Sequence, residues 1–172
     1  MSDKSVVESE SSSNKSKGEE KRFLIFSLAS EQYAVPLLQV KEVLGMVETT
    51  PVPYTPSHFK GIMNLRGQVI SIIDLRLKFK MAKGTSEQET AIIILDLSSI
   101  FIGIIVDSVD SVLGLTGDEI SAAPDVENNV KTDFLDGVAR KNKKLILLLN
   151  IEKALSVEDL KAVKKQHENK AA

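Results

Sequence analysis

The two halves of this chain resemble each other, and that self-similarity restricts the fold more than any single motif does. Gly61, Val69, Ile70, Ile73, Asp74 and Phe79 match Gly137, Leu145, Ile146, Leu149, Asn150 and Leu155 without a gap, at a spacing of 76 residues. Leu28, Val35, Val40, Leu44 and Gly45 match Leu97, Ile104, Val109, Leu113 and Gly114 at a spacing of 69. Each half reads as strand pair, connector, hairpin and capped helix, which predicts two similar small barrels or sandwiches with different loop lengths. At about sixty residues each, neither half can bury a secure core by itself, so a shared apolar interface is expected.

Residues 61–76 (GIMNLRGQVISIIDLR) carry the clearest local signal. Two apolar runs flank a tight turn at Arg66, Gly67 tolerates the positive φ such a turn needs, and Asp74 ends the return strand and caps LRLKF. The matching tip in the second half is Lys141, Asn142 and Lys143, as polar as a turn requires. Leu65 and Gly67 around Arg66 exceed that requirement. The guanidinium therefore either covers apolar edges with its stem or is displayed to something outside.

Elsewhere, FLIFSL (23–28) and YAV (33–35) read as paired strands. Residues 37–44 fit a short helix or a strand, because Pro36 suits a first helical position and Leu37, Val40 and Leu44 recur at helical spacing. AIIILDL (91–97) and IFIGIIVD (100–107) are strands by their β-branched content, and residues 134–150 form a hairpin with a basic turn. Residues 80–89 and 116–133 read as loops. Ser156 and Asp159 resemble a capping box opening an amphipathic C-terminal helix whose last turn frays. Residues 1–22 hold seven serines, five acidic and five basic residues and no aromatic, the composition of a disordered tail.

A net charge of −2 leaves no basic surplus for phosphates, so neither nucleic acid nor an anionic membrane is an expected partner. Apolar runs such as LILLL (145–149) are too short to span a bilayer, and with no apolar signal core a cytoplasmic protein is expected. Cysteine is absent, which excludes thiol nucleophiles, thiolate metal sites and disulfides. Phosphate-cradling glycine patterns and a nucleophile elbow are missing too. His58 and His167 stand apart from any second ligand and read as surface residues, and Asp107 and Asp110 read as solvated strand ends. No enzyme, metal or cofactor is expected, and a binding module is the leading class.

The stretch NLRGQVISIIDLR resembles the CheW family, bacterial chemotaxis coupling proteins with an NLRG turn, an apolar strand and a DLR segment. YAVPLLQVKEV, the approach from Pro56 to Gly61, GIIVDSVDSVL and LLNIEKAL extend the resemblance over about residues 21–160. Ser71 departs from the proline many members carry, which leaves the strand one more backbone donor. The resemblance implies a mainly β fold of two packed five-stranded SH3-like β-barrel subdomains with short helices and a C-terminal helix. The expected division is a tail over 1–20, subdomains of about 21–85 and 86–155, and a helix with a fraying end over 156–172; exchange of terminal strands between the barrels is left open.

It also implies a non-catalytic adaptor that joins the cytoplasmic tips of methyl-accepting chemoreceptors to the regulatory domain of a CheA-type histidine kinase. The alternative is a stand-alone regulatory-type module with a structural role in the kinase array. Positions matching the family's receptor groove are Val40, Glu42, Gly61 and Arg66, and those placed nearest the kinase surface are Gly103, Val112 and Gly137. Glu42 is the expected intramolecular partner of Arg66. Helical spacing makes Val40 equally a core residue, and the repeat makes a backbone requirement the better account of Gly61 and Gly137.

Overall fold

A computed structural model describes residues 19–81, 88–98, 100–123 and 134–170. Expectations for the tail over 1–18, the loop residues 82–87 and 124–133, the side chain of His167 and the extreme C-terminus fall outside the described residues. The described chain is mainly β. It forms β1 (Lys21–Leu28), β2 (Glu31–Pro36), β3 (Val40–Gly45), β4 (Phe59–Leu65), β5 (Gln68–Asp74), β6 (Ala91–Asp96), β7 (Phe101–Val106), β8 (Ser108–Leu115), β9 (Ile120–Ser121), β10 (Leu135–Lys141) and β11 (Lys144–Leu149). The helices are α1 (Leu75–Lys78), α2 (Ile151–Ala154) and α3 (Val157–Lys170). Residues 37–44, open between helix and strand, divide into one 3-10 turn at Leu37–Gln39 followed by β3.

The strands make two sheets, in the order β8-β1-β2-β11-β10-β9 and β3-β6-β7-β5-β4. Sheet membership cuts across the expected division near residue 85. The first strand pair of each half, β1-β2 and β6-β7, is inserted into the sheet built from the third strand and hairpin of the other half. In both sheets the insertion has the same pattern, an antiparallel pairing on one side (β1 with β8, β6 with β3) and a parallel pairing on the other (β2 with β11, β7 with β5). Duplicated halves offer interchangeable edges, so each hairpin completes its neighbour's sheet.

The hydrogen bonding describes two sheets rather than closed barrels, yet both sheets must curl. Six strands laid flat would separate β8 from β9 by about 24 Å at ~4.8 Å per strand. The chain between Leu115 and Ile120 reaches no more than about 18 Å. The first half repeats this crossing, because Thr50, shortly after β3, bridges Ile62 on β4 at the opposite edge through two backbone hydrogen bonds of 2.8 and 2.9 Å.

Curling gives each sheet an inner face and an outer face. Phe23, Ile25, Leu115, Ala139 and Ile146 fill the first, Met63, Ile70, Ile72, Ile92 and Ile94 fill the second, and a larger cluster including Phe26, Tyr33, Ile73, Ile93, Ile104 and Leu149 joins the two sheets. The joining cluster is the shared interface that the length of each half requires. Asp107 reinforces the junction: one carboxylate oxygen accepts the Ala29 N–H at 2.7 Å, and the other lies 3.0 Å from Nε of Arg76 on α1. It is thus a structural tie, not the solvated strand end expected from sequence.

Ser71 stands on β5 between β4 and β7, buried at 1% exposure, and its hydroxyl has no hydrogen-bond partner among the described residues. A buried unpaired hydroxyl keeps its desolvation penalty without compensation. Ser71→Ala is therefore expected to stabilise the fold by about 1 kcal/mol, read as a rise of roughly 2–4 °C in Tm; an unchanged or lower Tm would contradict it.

Candidate partner-binding site

The hairpin tip is a two-residue turn in which both residues take positive φ, +50° at Arg66 and +84° at Gly67. This geometry follows the twist of the flanking strands and favours asparagine followed by glycine. Asn64 steadies the turn by accepting the Gly67 N–H at 2.9 Å. Arginine is a poor choice for the first position, because a residue with a Cβ in the left-handed region carries about 1–2 kcal/mol of steric strain. What arginine adds is reach.

Its guanidinium, on a side chain 75% exposed, donates from Nη1 to Oε2 of Glu42 at 2.7 Å and from Nη2 to Oε1 at 3.0 Å. These hydrogen bonds and the carboxylate charge raise the Arg66 pKa beyond its already high range. A bidentate pair fixes the plane of both groups, so its main product is geometry.

Glu42 lies on β3, an edge strand. The register of β3 against β6 skips Lys41, passing from Val40 opposite Leu95 to Glu42 opposite Ile94. The second half repeats the irregularity, where β8 skips Asp110 against β1. A bulge carrying a charge blunts an open edge against unwanted strand pairing. At β3 it also turns Lys41 so that Nζ lies 4.2 Å from the centroid of the Phe101 ring. Lys41, Glu42, Arg66 and Gln68 rim a notch of about 160 Å³ floored by Leu65, Ile70 and Ile94. A larger hollow of about 480 Å³ is lined in part by Asp74 and Arg76. Two of its three charged groups are already committed, Asp74 to capping α1 through the Leu77 N–H at 3.3 Å and Arg76 to Asp107, and the third is Lys60.

Of the four expected receptor-facing residues, the structure brings Glu42 and Arg66 together. Val40 packs against the inter-sheet core, as its spacing allowed. Gly61 sits at a bulge of β4 with φ +131°, where a Cβ would stand 2.2 Å from the Thr50 carbonyl oxygen. Gly137, its repeat mate, sits at the corresponding bulge of β10 beneath the Ser121 carbonyl oxygen, 2.8 Å from where a Cβ would be. Both glycines let the crossing segment approach the hairpin.

Among the residues placed near the kinase surface, Val112 is 39% exposed on the open edge of β8. Gly103 and Gly137 are buried, and Gly103 is glycine because Ile72 and Ile92 occupy the space of its missing Cβ. Sequence reasoning missed Lys41, Gln68 and Phe101. Gln68 was legible as the residue closing the turn opposite Leu65, whereas Phe101 meets Lys41 only through the exchanged strand pair.

His58 is a correction to the expectation from sequence. Its side chain is only 15% exposed, and its ring pairs with Asp159, which Lys78 also approaches at 2.6 Å. Asp159 completes the expected capping box, accepting the Ser156 N–H at 2.9 Å while its own N–H donates to the Ser156 hydroxyl at 3.2 Å. A buried cap carboxylate needs compensation, and the Lys78 ammonium and the paired His58 ring supply it.

The CheW-like domain family model matches residues 22–159. Chemotaxis protein CheW of Klebsiella aerogenes is 38% identical over 141 residues, covering 82% of this chain and 85% of the relative. Chemotaxis protein CheW of Bacillus subtilis is 32% identical over 139 residues, covering 80% and 86%. The crystal structure of the scaffolding protein TtCheW from Thermoanaerobacter tengcongensis superposes with a TM-score of 0.75 at 33% identity, over 82% of this chain and 96% of that one. The family match over residues 22–159, the identity to these relatives and the superposition lead to one conclusion: this chain belongs to the CheW-like domain family.

Proposed function

We propose that the protein is a non-catalytic chemotaxis adaptor that couples the cytoplasmic tips of methyl-accepting chemoreceptors to the regulatory domain of a CheA-type histidine kinase. It works in the cytoplasm, recruited to receptor arrays, and needs no cofactor. A chemotaxis scaffold role is supported by the family and by the scaffolding protein on which the chain superposes. The observation that carries the receptor assignment is the Arg66–Glu42 pair, held on a strained, displayed turn beside an apolar notch. A helical hairpin tip presents an apolar face with polar flanks, and a small apolar hollow with a charged rim suits it. Gly61 acts on this surface through the Thr50 crossing, and Val40 by setting β3 against the core. The kinase takes an outer surface that includes Val112, with Gly103 and Gly137 shaping the backbone beneath.

Arg66→Asn separates turn chemistry from function, because asparagine suits the turn better than arginine. The variant is expected to melt at or slightly above the wild-type temperature and to keep its affinity for the kinase regulatory domain. Co-sedimentation with receptor-tip coiled coils should fall about tenfold or more, as for loss of a central anchor. Equal receptor affinity in the two proteins sinks the receptor assignment, and binding to the kinase domain alone favours the stand-alone regulatory module.

A further inference from the structure

We infer that Lys41, held over the Phe101 ring, selects a partner helix that carries a carboxylate one turn away from the apolar side chain entering the notch. The inference rests on the receptor reading and specifies the chemistry of the partner. At about 160 Å³ the notch is smaller than small-molecule sites, which run to roughly 300–1,000 Å³. It admits one side chain. Ile70 and Ile94 are buried and make its floor apolar, so that side chain is aliphatic or aromatic.

The rim decides what stands beside it. Both Glu42 oxygens are taken by the two terminal nitrogens of Arg66, so that pair is balanced within the protein. Gln68 is neutral. Lys41 is left as the uncompensated charge: among the described residues no carboxylate lies within ion-pair distance of its ammonium. The bulge and the ring hold the ammonium in place without neutralising it, because a cation over an aromatic face keeps its charge and its N–H donors. A fixed positive charge on an otherwise balanced rim attracts a carboxylate. On a helix, an acidic residue three or four positions from the apolar anchor shares its face and lies about 5–6 Å away, the scale of this notch. Lys41 also stands on the same short strand segment as Glu42, so the arginine pair and the lysine engage one helix together.

The test uses the full chain and a soluble coiled coil carrying a chemoreceptor tip, with affinity measured at several salt concentrations. Lys41→Gln is expected to weaken binding about three- to tenfold through a slower on-rate and to flatten the salt dependence, and Lys41→Glu to weaken it further. Phe101→Tyr should bind like wild type, while Phe101→Leu should lose less than Lys41→Gln and add nothing to it. In a companion series, each Asp or Glu near the tip is changed to Asn or Gln. One such tip should show the same loss with wild-type protein and no further loss with Lys41→Gln. Wild-type affinity and salt dependence in Lys41→Gln, or additive losses with every tip variant, overturn the inference. If wild type does not bind the tip, or Arg66→Asn binds it unchanged, the receptor reading itself fails and this inference falls with it.

Discussion

Gly61→Ala is expected to cost about 3 kcal/mol or more, from a backbone clash added to an unfavourable φ. The added methyl would stand 2.2 Å from the Thr50 oxygen and 2.7 Å from its carbonyl carbon. Backbone atoms cannot swing aside as a side-chain end does. The clash falls on the two hydrogen bonds that carry the chain from β3 to the opposite edge of its sheet, so relief means breaking that bridge. The repeat supplies an internal comparison. At Gly137 the nearest backbone oxygen is 2.8 Å away and φ lies outside the glycine region, so Gly137→Ala should cost about 1–2 kcal/mol. Denaturant unfolding of both variants checks the order, and equal losses would show that the crossing at Thr50 is no tighter than its counterpart. Weakened receptor binding in Gly61 variants would then arise from a displaced Thr50 segment beside β4, since glycine has no side chain to offer a partner.

Local features were legible in the sequence because their causes are local. The hairpin turn, the Asp74 cap and the Ser156–Asp159 box each depend on residues within a few positions, and all three are present. The repeat was legible because loop lengths change while apolar spacing does not. Strand exchange was not, since two similar halves present equivalent edges and periodicity does not say which edge a hairpin joins. His58 was misread for a related reason: its partner, Asp159, lies 101 positions away, beyond any window of local spacing. Gly103 was placed near a partner surface by resemblance alone, and the atoms packed around its missing Cβ are those of Ile72 and Ile92 of the same chain, which no local spacing announces. The Glu42–Arg66 pair stands between these cases. Family resemblance named the residues, while the bulge at Lys41 and the left-handed turn at Arg66, which aim them at each other, became visible only in three dimensions.

Asp159→Asn should destabilise the protein by about 1–2 kcal/mol at neutral pH, because it removes the charge that balances Lys78 while nearly preserving shape. Burial alone would raise the carboxyl pKa, but the Lys78 ammonium, the Ser156 N–H and His58 outweigh it and hold it at about 2, below the ordinary 3.8. A carboxyl held below its unfolded value gives stability that is fully present above that value and lost as pH falls through 3.8 toward 2. The contribution is about 1–2 kcal/mol once solvent access at Lys78 and His58 is allowed for. Wild type and variant should therefore differ by a nearly constant amount from pH 5 to 8 and converge below about pH 4. A difference that persists undiminished at pH 3 would place the effect in packing instead of charge. Asparagine can still accept the Ser156 N–H, so the start of α3 should survive while its hold on α1 and the His58 segment weakens. Faster amide exchange in α3, with the sheets unchanged, is the accompanying signature, because Asp159 ties the C-terminal helix to the half of the chain that displays Arg66.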